Sequence, residues 1–540
     1  MTELLTAAQM RGIERAAIES GAVTGLELME LAGRGVVEAI LAEWPEMATA
    51  PQRAVVLCGP GNNGGDGFVV ARLLRERGWE LEVLLYGDVE KLPPDAAENA
   101  RRWQAMGEIA AFPPRFSLPE DGVVIDALFG TGLTRPLEIE YAFSLNSQAE
   151  DDPLRVVAVD IPSGICADSG RPLGLTGAAH LTVTFHRAKL GHYLAQGPQA
   201  AGKVVVAPLG LPVLRHSSGT KVANAENSPA SAGQRSGEKP AKAANGHSTW
   251  IETATRIDEP WPFLSKGRDG SHKYHYGHAL VLAGGVGRGG AARLAARGAL
   301  RVGAGLVTVG CPPAALIENA ARLDAIMLRP IGDAAAVTEA LQDKRIWAAC
   351  AGPGLGVGEA TRETILALLK ADVETVLDAD ALTSFAEKPE ALFEALHAHV
   401  ILTPHAGEFA RLFPDLAAKL TEPATTGPAY SKVDATREAA ARAGCTILFK
   451  GADTVIAEPD GRARINSAHY DRAVPWLATA GSGDVLAGMI TGLLVRGFHP
   501  TDAAASAAWL HVEAARRFGP GLIAEDLPEM LPAVLRNLAP

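Results

Sequence analysis

Short apolar runs alternate along the chain with segments whose apolar residues recur every three or four positions. In the first half, strands are predicted at residues 53–57, 81–86, 123–125, 156–159, 181–185 and 203–207, and helices at 26–41 and 68–77. Ahead of them, Thr6 and Gln9 have the spacing of a capping box that begins a first helix. Regular alternation of strands and helices is typical of an α/β fold with a mostly parallel sheet.

The same alternation restarts in the second half of the chain. Strands are predicted at residues 278–282, 306–309, 347–351, 375–377, 400–402 and 446–449, and helices at 293–302 and 485–494. Gly461 indicates a hairpin turn shortly after the last of these strands. The pattern therefore predicts two α/β units in series, each built on its own sheet.

Between the two units the composition changes to Ser, Gly, Ala, Asn, Lys and Pro, with almost no large apolar residue. Such a composition cannot bury a core and is typical of a flexible linker that lets two domains fold apart. We therefore expect a first domain over residues 1–215, a linker over 216–250 and a second domain over 251–540.

The composition of the chain argues against several classes of function. The 540 residues are 47% apolar and 21% charged, and the net charge of −12 argues against nucleic-acid binding, which needs a basic face. We find no uncharged apolar run of about 18 residues and no signal-peptide pattern, so neither a membrane span nor export is expected. The five cysteines are scattered without metal-binding spacing. Reduced thiols in a cytoplasmic protein are the expectation.

A first candidate site follows the early strands. Residues 59–64 match the glycine pattern GxGxxG after a strand, which alone is a weak signal of dinucleotide binding. Asn62, Asn63 and Asp66 add polar side chains, although such residues also suit a purely structural turn. Asp126 and Asp160 follow two further strands. Because the carboxyl ends of parallel strands share one edge of a sheet, these side chains indicate a ligand site there.

A second candidate site centres on Asp484. The turn at residues 479–483 leads into a helix, so backbone N–H groups should converge on an anion beside this carboxylate. A base next to a phosphoryl donor fits that arrangement, and an ordinary helix-capping turn fits it as well. Asp378, Asp380, His405 and Lys450 also follow strands. Each alone could be structural, but their grouping favours a site.

The motifs resemble two enzyme families. Residues 5–210, with the segments 61–67, 130–133 and 159–164, resemble the NAD(P)H-hydrate epimerase domain, which has a Rossmann-like fold. Residues 277–535, with the segments 352–356, 377–382, 403–408, 450–454 and 480–484, resemble the ADP-dependent NAD(P)H-hydrate dehydratase. The resemblance implies a Rossmann-like three-layer α/β domain joined by a flexible linker to a ribokinase-like α/β domain.

The resemblance also implies the activity. Such enzymes repair nicotinamide cofactors whose dihydropyridine ring has been hydrated: one domain interconverts the R and S hydrates, and the other dehydrates the S form. The dehydration uses ADP and gives NAD(P)H, AMP and phosphate. The partners implied are the hydrates of NADH and NADPH and ADP, in a homo-oligomer, with K⁺ in the epimerase domain and Mg²⁺ in the dehydratase domain.

The resemblance assigns roles to residues of the first domain. Those implied to contact the hydrate are Asn62, Asn63, Gly64, Gly65, Asp66, Gly130, Thr131, Gly132, Leu133, Thr134, Arg135 and Pro136. Asp160 is implied to bind the hydrate and to handle protons at the epimerising carbon. The potassium ligands implied are Asn63, Asp126 and Ser163, whose mixed oxygen atoms suit a hard cation.

In the second domain, the residues implied to line the hydrate are Ala291, Gly354, His405 and Asp484. Those implied to hold the nucleotide are Lys450, Gly451, Ala452, Asp453, Thr454, Gly481, Ser482 and Gly483. Asp484 is expected to deprotonate the ring hydroxyl, which then attacks the β-phosphate of ADP.

Two other hypotheses remain open at this point. The second domain could be a small-molecule kinase, which shares the first steps but leaves the phosphate on its product. Alternatively, the first domain could bind a nucleotide without turnover. The presence of Asn63, Asp126, Asp160 and Ser163 together weighs against a binding module, which would not need the whole set.

Overall fold

The computed structural model describes residues 1–113, 118–137, 153–211, 253–261, 264, 266 and 272–538. Two sheets organise these residues, one of seven strands and one of eleven. The predicted linker, residues 216–250, lies outside the described residues. No described helix combines the length and apolarity that a membrane span requires.

The strands before residue 212 are β1 (Thr2–Leu4), β2 (Arg53–Cys58), β3 (Glu80–Leu85), β4 (Ala110–Ala111), β5 (Gly122–Ala127), β6 (Leu154–Val159), β7 (Leu181–Phe185) and β8 (Lys203–Ala207). The helices there are α1 (Ala7–Glu19), α2 (Gly25–Glu43), α3 (Asn62–Glu76), α4 (Pro94–Gln104) and α5 (Gly197–Ala201). All strands except β1 form one parallel sheet in the order β4-β3-β2-β5-β6-β7-β8. The parallel arrangement brings the carboxyl ends of β2, β5 and β6 to one edge, as the sequence pattern predicted.

Helix α3 begins six residues earlier than predicted. The glycines after Asn63 suggested a loop, but in the structure they permit close packing within the first turns of the helix. A Cβ atom on Gly64 would lie 2.0 Å from the carbonyl oxygen of Gly59, and one on Gly65 would lie 2.6 Å from Met29 Sδ. Asp66 therefore sits on the helix and not on a loop after β2.

The second group of strands comprises β9 (Ala254–Arg256), β10 (His278–Leu282), β11 (Leu306–Cys311), β12 (Met327–Pro330), β13 (Ile346–Ala351), β14 (Glu374–Leu377), β15 (Val400–Leu402), β16 (Thr446–Phe449), β17 (Asp453–Ala457) and β18 (Ala463–Ser467). The helices are α6 (Gly290–Arg301), α7 (Leu316–Ala320), α8 (Ala334–Ala340), α9 (Glu359–Leu369), α10 (Asp380–Thr383), α11 (Pro389–Phe393), α12 (Ala406–Leu412), α13 (Pro414–Thr421), α14 (Lys432–Ala443), α15 (Ser482–Leu494), α16 (Pro500–Phe518) and α17 (Asp526–Leu538).

The eleven-stranded sheet runs β1-β9-β18-β17-β16-β15-β14-β13-β10-β11-β12. It is parallel from β16 to β12, and β16, β17 and β18 form antiparallel pairs. Gly461 takes a positive φ in the turn between β17 and β18, which confirms the predicted hairpin. The sheet is covered by helices, among which α6 and α15 pack closely: a Cβ atom on Gly488 would lie 1.9 Å from the Ala295 carbonyl oxygen.

The two halves of the chain are in direct contact. Strand β1, from the predicted first domain, pairs antiparallel with β9 and so extends the second sheet. The Gly427 N–H donates to the Thr134 carbonyl over 2.9 Å, and the Ala195 N–H donates to Asp453 Oδ2 over 3.0 Å. The Tyr470 hydroxyl donates to the carbonyl of His192. The sequence pattern carried no signal of these contacts.

Candidate active sites

A cavity of about 520 Å³ opens at the carboxyl edge of the seven-stranded sheet. The predicted residues that line it are Asn62, Asn63, Asp66, Gly130, Thr131, Gly132, Leu133 and Asp160. Helices α1 and α2 form another part of its wall, with Arg11, Glu14, Leu28 and Met29. The structure thus brings the predicted residues from three chain segments to one concave surface, and helices α1 and α2 are contributors that sequence reasoning missed.

Asp160 follows β6 and has a positive φ of 69°. This conformation turns its carboxylate toward three donors. Oδ2 accepts from the Thr131 N–H at 3.0 Å, and Oδ1 accepts from the Thr184 hydroxyl at 2.9 Å and from Lys189 Nζ at 3.0 Å. Burial alone raises the pKa of Asp160, but Lys189, through its charge and its hydrogen bond, together with His192 and the Thr131 N–H, outweighs burial and holds the pKa below its usual range. Asp160 is therefore ionised.

The support for Asp160 comes from residues that the sequence analysis did not select. Lys189 is buried and also donates to the Thr184 hydroxyl at 2.7 Å. His192 Nδ1 accepts from the Lys189 N–H at 2.9 Å, so Nε2 carries the proton and donates to the Asp160 carbonyl, also at 2.9 Å. Burial, together with the charge of Lys189, lowers the pKa of His192 to about 4, which keeps the ring neutral. The available signal was the pair of polar residues, Thr182 and Thr184, within a buried strand.

Asp126 and Ser163 meet beneath the cavity. The Ser163 hydroxyl donates to Asp126 Oδ1 at 2.6 Å, and the Ser163 N–H donates to Oδ2 at 2.9 Å. Burial raises the pKa of Asp126, against the hydrogen bonds from Ser163 and Leu128. Within the described ranges no cationic side chain pairs with Asp126. A buried carboxyl beside a hydroxyl, with no cation of its own, has the chemistry of a cation ligand.

Asn63 lies close to the same loop. A Cβ atom on Gly130 would lie 2.7 Å from Asn63 Oδ1 and 3.0 Å from Asp160 Oδ2, so these two oxygens flank the Gly130 Cα. The Asn63 amide nitrogen is buried and makes no hydrogen bond to any described residue. An unsatisfied buried amide calls for a partner, which a bound ligand can supply. That nitrogen is a donor and needs an acceptor, not a cation, whereas the oxygens of Asn63, Asp126 and Ser163 form the mixed amide, carboxylate and hydroxyl set that suits potassium.

Some predicted substrate contacts lie away from the cavity. Gly64 and Gly65 are buried by helix packing, as described above, and Thr134, Arg135 and Pro136 do not line the cavity wall. Thr134 instead accepts the hydrogen bond from Gly427 that joins the two halves of the chain. Direct contact of these five residues with the hydrate stays a prediction.

The second site surrounds the N-terminus of α15. Gly481 precedes this helix with a left-handed φ of 87°, and Asp484 lies in the first turn, as predicted. Burial, followed by the repulsion of Asp378, raises the pKa of Asp484 to about 6. The neutral His511, whose pKa burial lowers to about 4, contacts the Ser482 carbonyl through Nε2 at 2.9 Å. His511 was not selected from the sequence and holds the start of the helix in place.

Lys450 lies beside this helix terminus. Its Nζ contacts Asp378 Oδ1 at 2.6 Å and Glu408 Oε2 at 3.9 Å. Burial alone would lower the pKa of Lys450, but Asp378 and Glu408 outweigh it and raise that pKa. A Cβ atom on Gly483 would lie 3.5 Å from Lys450 Nζ, so the ammonium and the helix N–H groups face one region. This region can hold a phosphate group.

Other predicted residues border the second site. Ala291 lies in the first turn of α6, and its Cβ lies 3.7 Å from the position that a Cβ on Gly354 would take. His405 is exposed and caps α12, with Nδ1 accepting from the Gly407 N–H at 2.9 Å. Asp380 accepts from the Gly356 N–H at 2.8 Å, which is the structural role that the sequence left open for it.

Residues 450–452 form the turn between β16 and β17, and Asp453 and Thr454 begin β17. Gly451 and Ala452 are exposed, whereas Thr454 is buried and donates its hydroxyl proton to the Gly451 carbonyl at 2.7 Å. Asp453 pairs with Lys432 at 2.7 Å and also accepts from Ala195. The side chains of Asp453 and Thr454 thus stabilise the turn, and Gly451 and Ala452 leave its backbone accessible to a ligand.

The fold and the two sites define an enzyme of two α/β parts, with a carboxylate-lined cavity in one and a carboxylate and a lysine at a helix N-terminus in the other. The family described as NAD(P)H-hydrate dehydratase matches residues 279–533, and the family described as YjeF-related protein N-terminus matches residues 25–191. The bifunctional NAD(P)H-hydrate repair enzyme Nnr of Moorella thermoacetica is 35% identical over 559 aligned residues, covering 99% of this chain and 97% of that protein.

Two further proteins match one half each. The NAD(P)H-hydrate epimerase of Rhodobacter capsulatus is 49% identical and covers 39% of this chain and all of its own length. The solved ADP/ATP-dependent NAD(P)H-hydrate dehydratase of Bacillus subtilis, co-crystallized with ATP/Mg²⁺, is 30% identical and covers 50% of this chain and 94% of its own, at a TM-score of 0.41. This chain belongs to the family of bifunctional NAD(P)H-hydrate repair enzymes. The family and the two α/β parts predicted from the sequence are confirmed, and the flexible linker between them stays a prediction.

Proposed function

We propose that this chain repairs hydrated NADH and NADPH, with epimerisation in the cavity beside Asp160 and ADP-dependent dehydration of the S hydrate at Asp484. The observation that carries the proposal is the pairing of two different sites in one chain. One is a cavity that can enclose a hydrated ring, and the other is a raised-pKa carboxylate beside a phosphate-binding helix terminus. A small-molecule kinase would need only the second of these sites, the carboxylate beside the helix terminus.

In the epimerase cavity, the ionised Asp160 and the backbone of residues 130–133 bind and orient the hydrate. The Thr131 N–H, the Thr184 hydroxyl and Lys189 fix the Asp160 carboxylate, so it offers a preorganised negative charge to the substrate. Potassium would be held by Asn63, Asp126 and Ser163, and it would supply a positive charge that anchors the loop after β5. Substrate contact by Asn62, Asn63 and Asp66 is supported by their place in the cavity wall.

In the dehydratase site, Asp484 removes the proton from the ring hydroxyl, and the oxygen attacks the β-phosphorus of ADP. The O–P bond forms as the bond to AMP breaks, and the N–H groups of residues 481–483 with Lys450 stabilise the transferring phosphoryl charge. The phosphorylated oxygen then leaves as phosphate, with the ring nitrogen supplying the electron pair, and the neighbouring ring carbon loses a proton to solvent to give the dihydropyridine of NAD(P)H. A pKa of about 6 leaves Asp484 ionised at neutral pH yet basic enough to accept the proton.

Magnesium is proposed to enter with the nucleotide. Among the described residues no group of three or more His, Cys, Asp or Glu side chains is arranged to hold a metal ion. Mg²⁺ is commonly held by substrate phosphates and water with few protein ligands, so it would bridge the ADP phosphates and neutralise part of their charge. Ala291, Gly354 and His405 are placed to line the hydrate, and residues 450–454 to hold the nucleotide. A homo-oligomeric state also belongs to this proposal.

The test is to incubate the full chain with a mixture of R and S NADH hydrates, ADP, Mg²⁺ and K⁺. We expect complete recovery of the near-ultraviolet absorbance of NADH with one phosphate released per NADH. Recovery of the S fraction alone would show that the first domain binds without turnover. Retention of phosphate on the product, with no NADH formed, would establish the kinase alternative instead.

A further inference from the structure

Two carboxyl groups of the epimerase cavity have no proton-transfer role in the proposed function. Asp66, on α3, and Glu14, on α1, both line the cavity, and both are partly buried. Neither side chain makes a hydrogen bond or an ion pair with another described residue. Their oxygens are therefore available to a substrate, on elements that approach the cavity from different sides.

The carboxylate of Asp160, in contrast, already has hydrogen-bond and ion-pair partners. Its two oxygens already accept three hydrogen bonds, one of them from an ammonium group. Proton uptake by this carboxylate would break its ion pair with the buried Lys189 and leave that charge unpaired, which is costly. Asp160 is thus suited to hold a charge in place and poorly suited to carry a proton.

The acid groups of the cavity differ in the direction of their pKa shifts: the pKa values of Asp66 and Glu14 are raised, whereas that of Asp160 is lowered. Burial, followed by repulsion from Asp160 and Glu14, raises the pKa of Asp66 well above its usual range. Burial, followed by repulsion from Asp160, also raises the pKa of Glu14, against Lys189 and Arg11. The charged or titratable groups around this pair are Arg11 on α1, Asp95 on α4, and Asp160, Lys189 and His192 at the sheet edge.

We propose that Asp66 and Glu14 are the proton-transfer pair of the epimerase site, with Asp66 protonated and Glu14 ionised before substrate turns over. The proposal rests on the epimerase function proposed above. It limits Asp160 to binding and orientation, where the sequence-based expectation gave it the proton transfer as well.

The chemistry needs one acid and one base. The hydrated ring carries its hydroxyl on a carbon bonded to the ring nitrogen. The ionised carboxylate takes the hydroxyl proton, the oxygen electron pair forms the C=O bond, and the C–N bond breaks with its electrons moving to nitrogen. The protonated carboxyl gives its proton to that nitrogen. Rotation of the resulting aldehyde by half a turn and the reverse steps close the ring with the other configuration, so atoms and electrons balance without an outside reactant.

The first experiment uses Asp66→Asn in the full chain. Conversion of pure R hydrate to S hydrate, followed by chromatography against the uncatalysed rate, should fall by at least about 100-fold, the usual loss for a proton-transfer group. Dehydration of the S hydrate with ADP should stay within about twofold, because that site lies in the other part of the chain. This second activity shows that the variant is folded.

The second experiment uses Glu14→Gln and the pH profile of epimerisation. The epimerisation rate of the intact enzyme should depend on pH as a bell-shaped curve. The rate should rise on the acid limb as Glu14 ionises, and fall on the alkaline limb as Asp66 loses its proton. Loss of the Glu14 charge removes a repulsion from Asp66, so the pKa of Asp66 falls and the alkaline limb moves to lower pH as the rate drops. Glu19→Gln, an exposed position on the same helix, is the matched control and should leave the profile unchanged.

The result that overturns the inference is an Asp66→Asn enzyme that keeps more than a third of the epimerisation rate, or a Glu14→Gln profile with an unmoved alkaline limb. Failure of the proposed function would look different, because the unmodified chain would then fail to epimerise the R hydrate faster than solvent does.

Discussion

Replacing Asp484 with asparagine should stabilise the folded protein while it removes the dehydratase activity. The ionised carboxylate is partly buried and repelled by Asp378, and its pKa is raised from 3.8 to about 6. A group whose acid form is favoured in the folded state destabilises the fold once it ionises. The ionised form of Asp484, which is the proposed base, therefore lowers the stability of the folded protein.

The magnitude follows from the pKa difference. At about 1.4 kcal/mol for each pH unit, the ionised Asp484 costs the folded state about 3 kcal/mol above pH 6. The cost shrinks as pH falls below 6 and disappears below the unfolded pKa of 3.8, where both states hold the proton. Asp484→Asn should therefore raise Tm by roughly 6 °C at pH 7.5 and by almost nothing at pH 4.

The assay is thermal unfolding of both proteins at the two pH values, beside recovery of NADH from the S hydrate with ADP. Dehydration should fall by about 100-fold or more, because an amide cannot accept the hydroxyl proton. Asp324→Asn, at an exposed loop position, controls for the general effect of removing one negative charge. A variant that melts lower than the parent at pH 7.5, or that keeps its activity, refutes the reasoning.

Three further outcomes are expected. Asp160→Ala should abolish epimerisation and leave dehydration of the S hydrate intact, and loss of both activities in a folded variant would contradict the division of labour. Replacing K⁺ by tetramethylammonium should slow epimerisation several-fold without changing dehydration. In the Asp126→Asn variant the epimerisation rate should no longer depend on which of the two ions is present. An effect of the ion on both activities would argue against a potassium site at Asp126. Tyr470→Phe should cost about 1 kcal/mol in unfolding experiments, since it deletes the hydrogen bond to the His192 carbonyl, and an unchanged Tm would show that this contact contributes nothing.

Much of the fold could be predicted because its strands are short apolar runs with clear ends. The strands at 278–282 and 446–449 match their predicted limits. The start of α3 was missed because glycine is ambiguous in sequence, serving flexible turns and tight packing alike. Strand β1 was missed for another reason: three residues carry too little pattern, and their partner β9 lies about 250 residues away.

The candidate sites were predictable in outline for a geometric reason, since parallel strands deliver their carboxyl ends to one edge. What the sequence could not supply is the partner of each charged group. Nothing local shows that Lys189 reaches back to Asp160, or that Lys450 pairs with Asp378 and not with Asp484. Those pairings depend on how loops from different strands meet across the sheet edge.

These pairings decide which aspartate can exchange a proton. Both sites place a lysine among carboxylates, the buried Lys189 in one and the partly buried Lys450 in the other, but the two lysines bond different partners. In the cavity, Lys189 bonds Asp160 directly and lowers its pKa, so that carboxylate holds charge and the proton must be carried elsewhere. At α15, Lys450 bonds Asp378, and Asp484, the proposed base, is left with a raised pKa. The same two residue types thus give a fixed anion in one half of the chain and a proton acceptor in the other.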